Sequence, residues 1–212
     1  MEKISNKIIN SNNNTNLLNH SNSIDYIKSN NHYITKKKTF NFYTLKNGSL
    51  ISCHGKPKKN DLIFMKETYN MNYVLTILHS GENPEIIKKY CNEIGNIEWE
   101  NLPLKGANMA LFMNKEVQSL ILNHILKLIK EMNKKKLIIF IHCAAGVHRT
   151  GTILYTILRC TGESKESAME AIKKIRIETW RNCGENRINY AEEYLVKPLL
   201  KIIEELKNNN DI

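Results

Sequence analysis

Aspartate is the scarcest charged residue in this 212-residue chain: Asp25, Asp61 and Asp211 are its only three. All acids together number 21 against 31 lysines and arginines, a formal net charge of +10. Such a surface disfavours cationic partners. It suits an anionic one, whether phosphopeptide, inositol phosphate, nucleic acid or anionic membrane, without choosing among them. No apolar run reaches the roughly 20 residues that a bilayer crossing needs, so no membrane span is expected. The first 31 residues are polar and asparagine-rich, without the apolar core of a secretory signal. Residues 1–38 therefore read as a disordered Asn-rich tail, residues 39–207 as one folded domain, and 208–212 as a short C-terminal tail. Cysteine is sparse and unpaired. Cys53, Cys91, Cys143, Cys160 and Cys183 show no metal-ligand spacing, so neither a metal nor another cofactor is expected. Their odd number fits a reducing compartment, cytoplasmic or nuclear.

What the chain does have is concentrated in ten residues, His142-Cys143-Ala144-Ala145-Gly146-Val147-His148-Arg149-Thr150-Gly151. An apolar run, Leu137 to Ile141, precedes them, and a helix-compatible run, Thr152 to Leu158, follows. A thiol thus sits in a tight loop between a buried strand and a helix N-terminus. Seven residues from Cys143 to Arg149 are enough to curl into a nest of backbone amides, and a helix N-terminus beneath it favours a tetrahedral oxyanion. The phosphate-binding set is Ala144, Ala145, Gly146, Val147, His148 and Arg149. Gly146 supplies the backbone freedom for the curl. Arg149 offers a planar fork that matches two phosphate oxygens. A field of this kind favours thiolate over thiol, and thiolate is the nucleophile. Thr150 is placed to donate its hydroxyl to that sulfur, and His142 to hold loop carbonyls from the strand side. His148 at the rim adds positive charge below about pH 6.5.

These residues resemble the signature of the cysteine-based protein phosphatases, His-Cys-x2-Gly-x2-Arg-Ser/Thr, at His142, Cys143, Gly146, Arg149 and Thr150. The likeness is weaker beyond the loop but runs over most of residues 40–206. Gly48 to Pro57 looks like the opening of dual-specificity phosphatases, and Asn101-Leu102-Pro103-Leu104 like their strand leading to the acid loop. The resemblance implies a phosphocysteine mechanism in which Cys143 attacks phosphorus, an acid protonates the leaving oxygen and water cleaves the phosphoenzyme. It implies that residues 39–207 are a phosphatase domain acting on a phosphorylated protein, as a tyrosine or dual-specificity phosphatase.

The family usually carries an aspartate acid in that loop. Here residues 104–111 contain no acid at all. Glu100 ranks first among the substitutes, ahead of Glu98, Glu116, Glu178, Glu185 and His148. Without a positioned acid, worth roughly 10²–10⁴ in rate, aryl phosphates are expected to outpace alkyl phosphates. Two other enzyme readings stay open. One is a phosphoinositide or inositol phosphate phosphatase, which the neutral Ala144, Ala145 and Val147 disfavour and the net charge favours. The other is an RNA 5′-phosphatase, which rests on basicity alone; no nucleic-acid partner is expected. A catalytically weak, phosphate-binding pseudophosphatase is the non-enzyme alternative. Asn186 reads as a helix cap or a residue that orients water. Cys53 and Cys91 read as buried small hydrophobes or as resolving thiols for Cys143.

The remaining pattern alternates strands and helices, predicting an α/β fold with a central, mostly parallel sheet flanked by helices, like that of dual-specificity phosphatases. Asn47-Gly48 predicts a hairpin between residues 40–45 and 49–53. Helices are expected over 61–69, from Pro84 to Gly95, from Asn114 through Met132, and over 150–160, 165–176 and 188–206, the last divided at Pro198. Strands are expected over 73–78 and 97–102. His124 reads as a boundary residue of its helix, and Trp99 and Trp180 as core or pocket-wall aromatics. The expected state is a monomer.

Overall fold

The computed structural model describes residues 38–106 and 108–209; the Asn-rich segment assigned to a tail lies outside them but for Lys38. Five strands form one sheet in the order β1-β2-β5-β3-β4. β1 (Tyr43–Thr44) and β2 (Leu50–Gly55) are the expected hairpin, antiparallel through Asn47-Gly48. β3 (Tyr73–Thr76), β4 (Glu98–Asn101) and β5 (Ile138–Cys143) are parallel to each other or to β2. β5 lies at the centre because its residues Ile138 to Ile141 are apolar on both faces, which only a doubly covered strand can bury.

The period-2 alternation of the strands sorts two cores. Ile51, Cys53, Leu75, Ile139, Ile141 and Cys143 face the larger one. It is built with α4 (Lys115–Lys134), α5 (His148–Cys160), α6 (Lys165–Ile175), α8 (Glu185–Ala191) and α9 (Lys197–Asn208). Val74 and Phe140 face the smaller one, with α1 (Lys59–Tyr69) and α2 (Glu85–Ile94). The face that Cys143 takes is therefore set by its parity along β5.

Most expected elements are present within a few residues. Asn114 caps α4, accepting from the amides of Glu116 and Val117 at 2.8 and 3.1 Å. The last helical stretch is divided where Pro198 stands: α8 passes through a π-helical turn at residues 192–196 before Pro198 opens α9. Two short helices go beyond the expected set. α3 (Met109–Phe112) is capped by Asn108, and α7 (Ile177–Asn182) follows α6 after a single extended residue, Arg176. Both are too short to show helical periodicity; α7 reaches the loop through Thr179 Oγ1, which bonds the Gly146 carbonyl. Among the described residues no helix is long and apolar enough to cross a membrane.

Candidate active site

The carboxyl ends of β2, β5 and β3 meet at the phosphate loop, where open parallel sheets place ligands. In register, Gly55 lies opposite Cys143, and His54 and Thr76 flank His142. The neighbouring chain segments pin the loop from outside. The Lys56 amide bonds the Ala144 carbonyl at 3.0 Å. Arg176 Nη1 bonds the carbonyls of Ala145 and Gly146 at 3.3 and 2.6 Å, and Thr179 Oγ1 bonds that of Gly146 at 2.7 Å. In a trans peptide the C=O and the next N–H point in opposite directions, and no cis bond is present among the described residues. With the carbonyls of Ala144, Ala145 and Gly146 tied outward, the amides of Ala145, Gly146 and Val147 point the other way, into the loop. The Gly146 amide does so, donating to Cys143 Sγ at 3.2 Å. The first amide that α5 uses internally is that of Gly151, bonded to the Val147 carbonyl at 2.7 Å. The amides ahead of it belong to a helix N-terminus and are left for a ligand.

Gly146 is obligatory on two counts. Its φ is +69°, a left-handed conformation, and a Cβ there would lie 2.2 Å from the carbonyl carbon and oxygen of His54. The loop can curl this tightly only by resting directly on the β2 backbone.

Arg149 is nearly buried and held end-on by a residue that no sequence motif marks. Glu82 takes Nη1 at 2.6 Å and Nη2 at 2.7 Å, while the Leu104 carbonyl takes the second Nη1 hydrogen at 2.9 Å. Of five guanidinium N–H groups, this leaves Nε–H and one Nη2–H, the side-on fork that phosphate recognition needs. Burial works against the Arg149 charge, but the bond to Glu82, the charges of Cys143 and Glu82 and a bond to Cys143 outweigh it and raise its pKa. The hydrogen bond from Arg149 in turn lowers the pKa of Glu82. Glu82 is aimed by its own turn, a 3₁₀ turn at Ser80–Glu82 in which the His79 amide donates to Oε2 at 3.0 Å. Glu82→Gln is expected to lower kcat/KM on an aryl phosphate by roughly tenfold to a hundredfold, the kinetic equivalent of one charge-assisted hydrogen bond. Steady-state kinetics beside the parent protein check it. The pair is intact at neutral pH and is lost as pH falls through the depressed Glu82 pKa.

His142 is fully buried, stacked on Phe140, with Nε2 2.9 Å from Thr76 Oγ1. Trp99 Nε1 donates to that same hydroxyl oxygen at 2.9 Å and so anchors Thr76 beside the ring. Nδ1 faces the Cys143 carbonyl, an acceptor only, at 3.4 Å, an arrangement that suits a proton on Nδ1 and a bond from the Thr76 hydroxyl to Nε2. Burial, first, and the positive charges of Lys56, Arg149 and Lys38 push the His142 pKa down to about 3; burial and Arg176 push His54 down to about 4. Unfolded histidine titrates near 6.5, so acid protonates the unfolded chain first. The urea midpoint is expected to fall between about pH 7.5 and about pH 5.5, a window above the carboxylate range, and to fall less in His142→Gln.

Several expected roles do not survive the geometry. Glu100 lies on β4, where it bonds Tyr73 Oη at 2.5 Å and lies 2.6 Å from His124 Nδ1 and 3.2 Å from Lys127 Nζ. Burial opposes its charge, but these three partners outweigh it and hold its pKa down to about 2. It carries no proton to give at neutral pH and belongs to the β4–α4 packing. His124 is its partner, half-buried at the edge of α4. Glu98 pairs with Lys135, and Glu178 lies 3.6 Å from Arg176 Nε. Glu116 sits in the first turn of α4 and Glu185 in that of α8. Among the described residues, Glu82 alone of the carboxylates touches Arg149, and none touches Cys143. His148 opens α5, and burial followed by the charge of Arg187 lowers its pKa, so its charge appears only below the range the sequence suggested. Thr150 Oγ1 is buried without a hydrogen bond, so the expected bond to the sulfur is not made here. Gly184, not Asn186, is the cap of α8.

Cys53 and Cys91 do not suit a resolving role. Cys91 belongs to the core on the opposite face of the sheet from Cys143. Cys53 lies opposite Ile141, two residues along from the Cys143 position. Strand spacing and rise put such a diagonal pair about 8 Å apart at Cα, beyond an unstrained disulfide. Burial also pushes the thiols of Cys53, Cys91 and Cys160 up to about 12 and that of Cys183 to about 11.

No family model matches the chain, and no curated protein matches it in sequence. Solved structures do match. The core catalytic domain of the PP-IP phosphatase SIW14 from S. cerevisiae superposes with a TM-score of 0.54 at 17% identity, over 81% of this chain and 93% of that one. Kinase-associated phosphatase, with its catalytic-site cysteine replaced by serine, gives 0.55 at 15% identity, over 77% and 98%. PTPMT1 in complex with PI(5)P gives 0.53 at 18% identity, over 76% and 98%. With its loop at the head of a five-stranded, helix-flanked sheet, the chain has the fold of the cysteine-based tyrosine and dual-specificity phosphatases.

Proposed function

We propose that this protein is a phosphatase that hydrolyses phosphomonoesters with good leaving groups through a phosphocysteine, and that its substrate is a phosphotyrosine-type phosphoprotein. One observation carries this reading: Cys143 Sγ and the side-on fork of Arg149, which Glu82 leaves unused, border a loop whose amides turn inward, as the Gly146 bond to the sulfur marks. A phosphate seated there presents phosphorus to the sulfur. The S–P bond forms as the P–O bond to the leaving group breaks, and Arg149 and the loop amides hold the three non-bridging oxygens. The leaving oxygen takes its proton from solvent, because no side chain among the described residues holds one in place for it. Water then attacks phosphorus, the S–P bond breaks and inorganic phosphate leaves.

The missing acid sets the preference. A phenolate leaves unaided far more readily than an alkoxide, so phosphotyrosine peptides are expected to turn over about 10²-fold or more faster than matched phosphoserine peptides. Comparable rates would refute the acid-free scheme. The exposed loop side chains Ala144 and Ala145 are neutral, which suits a protein phosphate better than a polyphosphate. A second reading has one argument of its own. A phosphoanhydride also leaves without an acid, and SIW14 is a PP-IP phosphatase; an inositol pyrophosphate hydrolysed faster than any phosphotyrosine peptide would favour it. Action in the cytoplasm or nucleus, as a monomer, completes the proposal.

A further inference from the structure

Behind the phosphate loop lies a second cavity of about 400 Å³, and its walls are cationic. Lys38, His54, Lys173, Lys174 and Arg176 line it, against one carboxylate, Glu178. Three of these come from the end of α6 and the extended residue after it, which Asn41 fastens by donating to the carbonyls of Lys174 and Ile175 at 3.2 and 3.3 Å. The charges are incompletely matched. Lys174 has no acidic partner among the described residues, and Lys173 has a carboxylate only at 3.8 Å, from Glu170 on its own helix. Lys38 is committed to Asp61 at 2.7 Å. Arg176 spends Nη1 on the loop carbonyls, but its Nε is buried and makes no hydrogen bond, with Glu178 Oε2 held off at 3.6 Å. A buried donor without a hydrogen-bond acceptor is rare in folded proteins, and an added anionic oxygen would satisfy this one. The low His54 pKa, set by burial and then by Arg176 and Lys38, agrees with a positive field there.

We propose that this cavity is a second phosphoryl-binding site, on the opposite face of the loop from Cys143. Arg176 forms their common wall: its Nη1 holds the Ala145 carbonyl, and the amide at the other end of that trans peptide, on Gly146, meets Cys143 Sγ. The phosphoryl group belongs either to a free anion or to the substrate, as its second phosphate; the substrate case alone rests on the phosphatase reading.

The test uses inositol hexakisphosphate as probe and the full chain carrying Lys173→Gln and Lys174→Gln, two exposed positions outside the catalytic machinery. Calorimetry is done in a Cys143→Ser background, which reads binding whether or not the protein turns anything over. The double variant is expected to bind the probe about tenfold more weakly, and Lys173→Arg with Lys174→Arg to bind as the parent does. Hydrolysis of a small aryl phosphate by the double variant, with Cys143 present, is expected to stay within about twofold of the parent. Competitive inhibition by the probe, weakened in the double variant, assigns the group to the substrate; non-competitive inhibition assigns it to a free anion. Equal affinity of parent and double variant overturns the site. Absence of turnover with the affinity difference intact overturns the catalytic reading and leaves this one standing.

Discussion

Cys143→Ser is expected to lower kcat on an aryl phosphate by on the order of 10⁴–10⁶-fold, the range seen when a covalent nucleophile is removed. The serine oxygen fits the position and can still accept the Gly146 amide. As a neutral hydroxyl at pH 7 it is a far weaker nucleophile than a cysteine sulfur. Binding should be spared, because the inward amides and the Arg149 fork are untouched. Inorganic phosphate or tungstate should therefore bind the variant by calorimetry within a few-fold of the parent. A variant that retains more than a hundredth of the parent's rate would remove the phosphocysteine from the mechanism.

Gly146→Ala should damage the protein for a reason unrelated to chemistry at sulfur. A Cβ at φ +69° costs about 1–2 kcal/mol by itself. The contact at 2.2 Å with the His54 carbonyl group costs more, because that neighbour is backbone at the end of a paired strand and has nowhere to go. The loop must lift, taking with it the amide that meets the sulfur. A displacement near 1 Å costs about 10² in rate, and kcat/KM is expected to fall by at least that. Two measurements keep the causes apart: the urea midpoint reads the strain and phosphate affinity reads the cradle. A variant with parental kinetics would mean that the loop does not rest on β2 as described. Substitution of the exposed Gly81, which has negative φ and only His79 Nδ1 near its Cβ position, should be tolerated by comparison.

Much of this site was legible in the chain. Cys143, Gly146 and Arg149 stand at fixed spacing between a buried strand and a helix, and local chain geometry alone makes a cradle from that arrangement. The acid loop was legible as an absence, and the structure adds that Glu100 is engaged elsewhere. Glu82 was not legible. It lies 67 positions from Arg149, in a turn whose sequence, His-Ser-Gly-Glu, has no signature. Its one distinguishing mark is its place beyond the carboxyl end of a parallel strand. Arg176 and Thr179, which hold the loop's carbonyls, were hidden for the same reason, because the bonds they make run to backbone atoms and leave no trace in side-chain pattern.

The sequence by itself determined the tight loop that carries Cys143 between a strand and a helix, and the alternation of strands and helices, since each depends on neighbours within a few residues or on the period of apolar positions. The tertiary structure decided what depends on distant segments meeting. It set which edge of Arg149 Glu82 occupies, how Thr76 and Trp99 meet beside His142, and which carboxylates are already engaged. Spacing along a chain fixes local backbone geometry. The direction of a charge or a proton is fixed by partners that only the closed fold brings within about 3 Å.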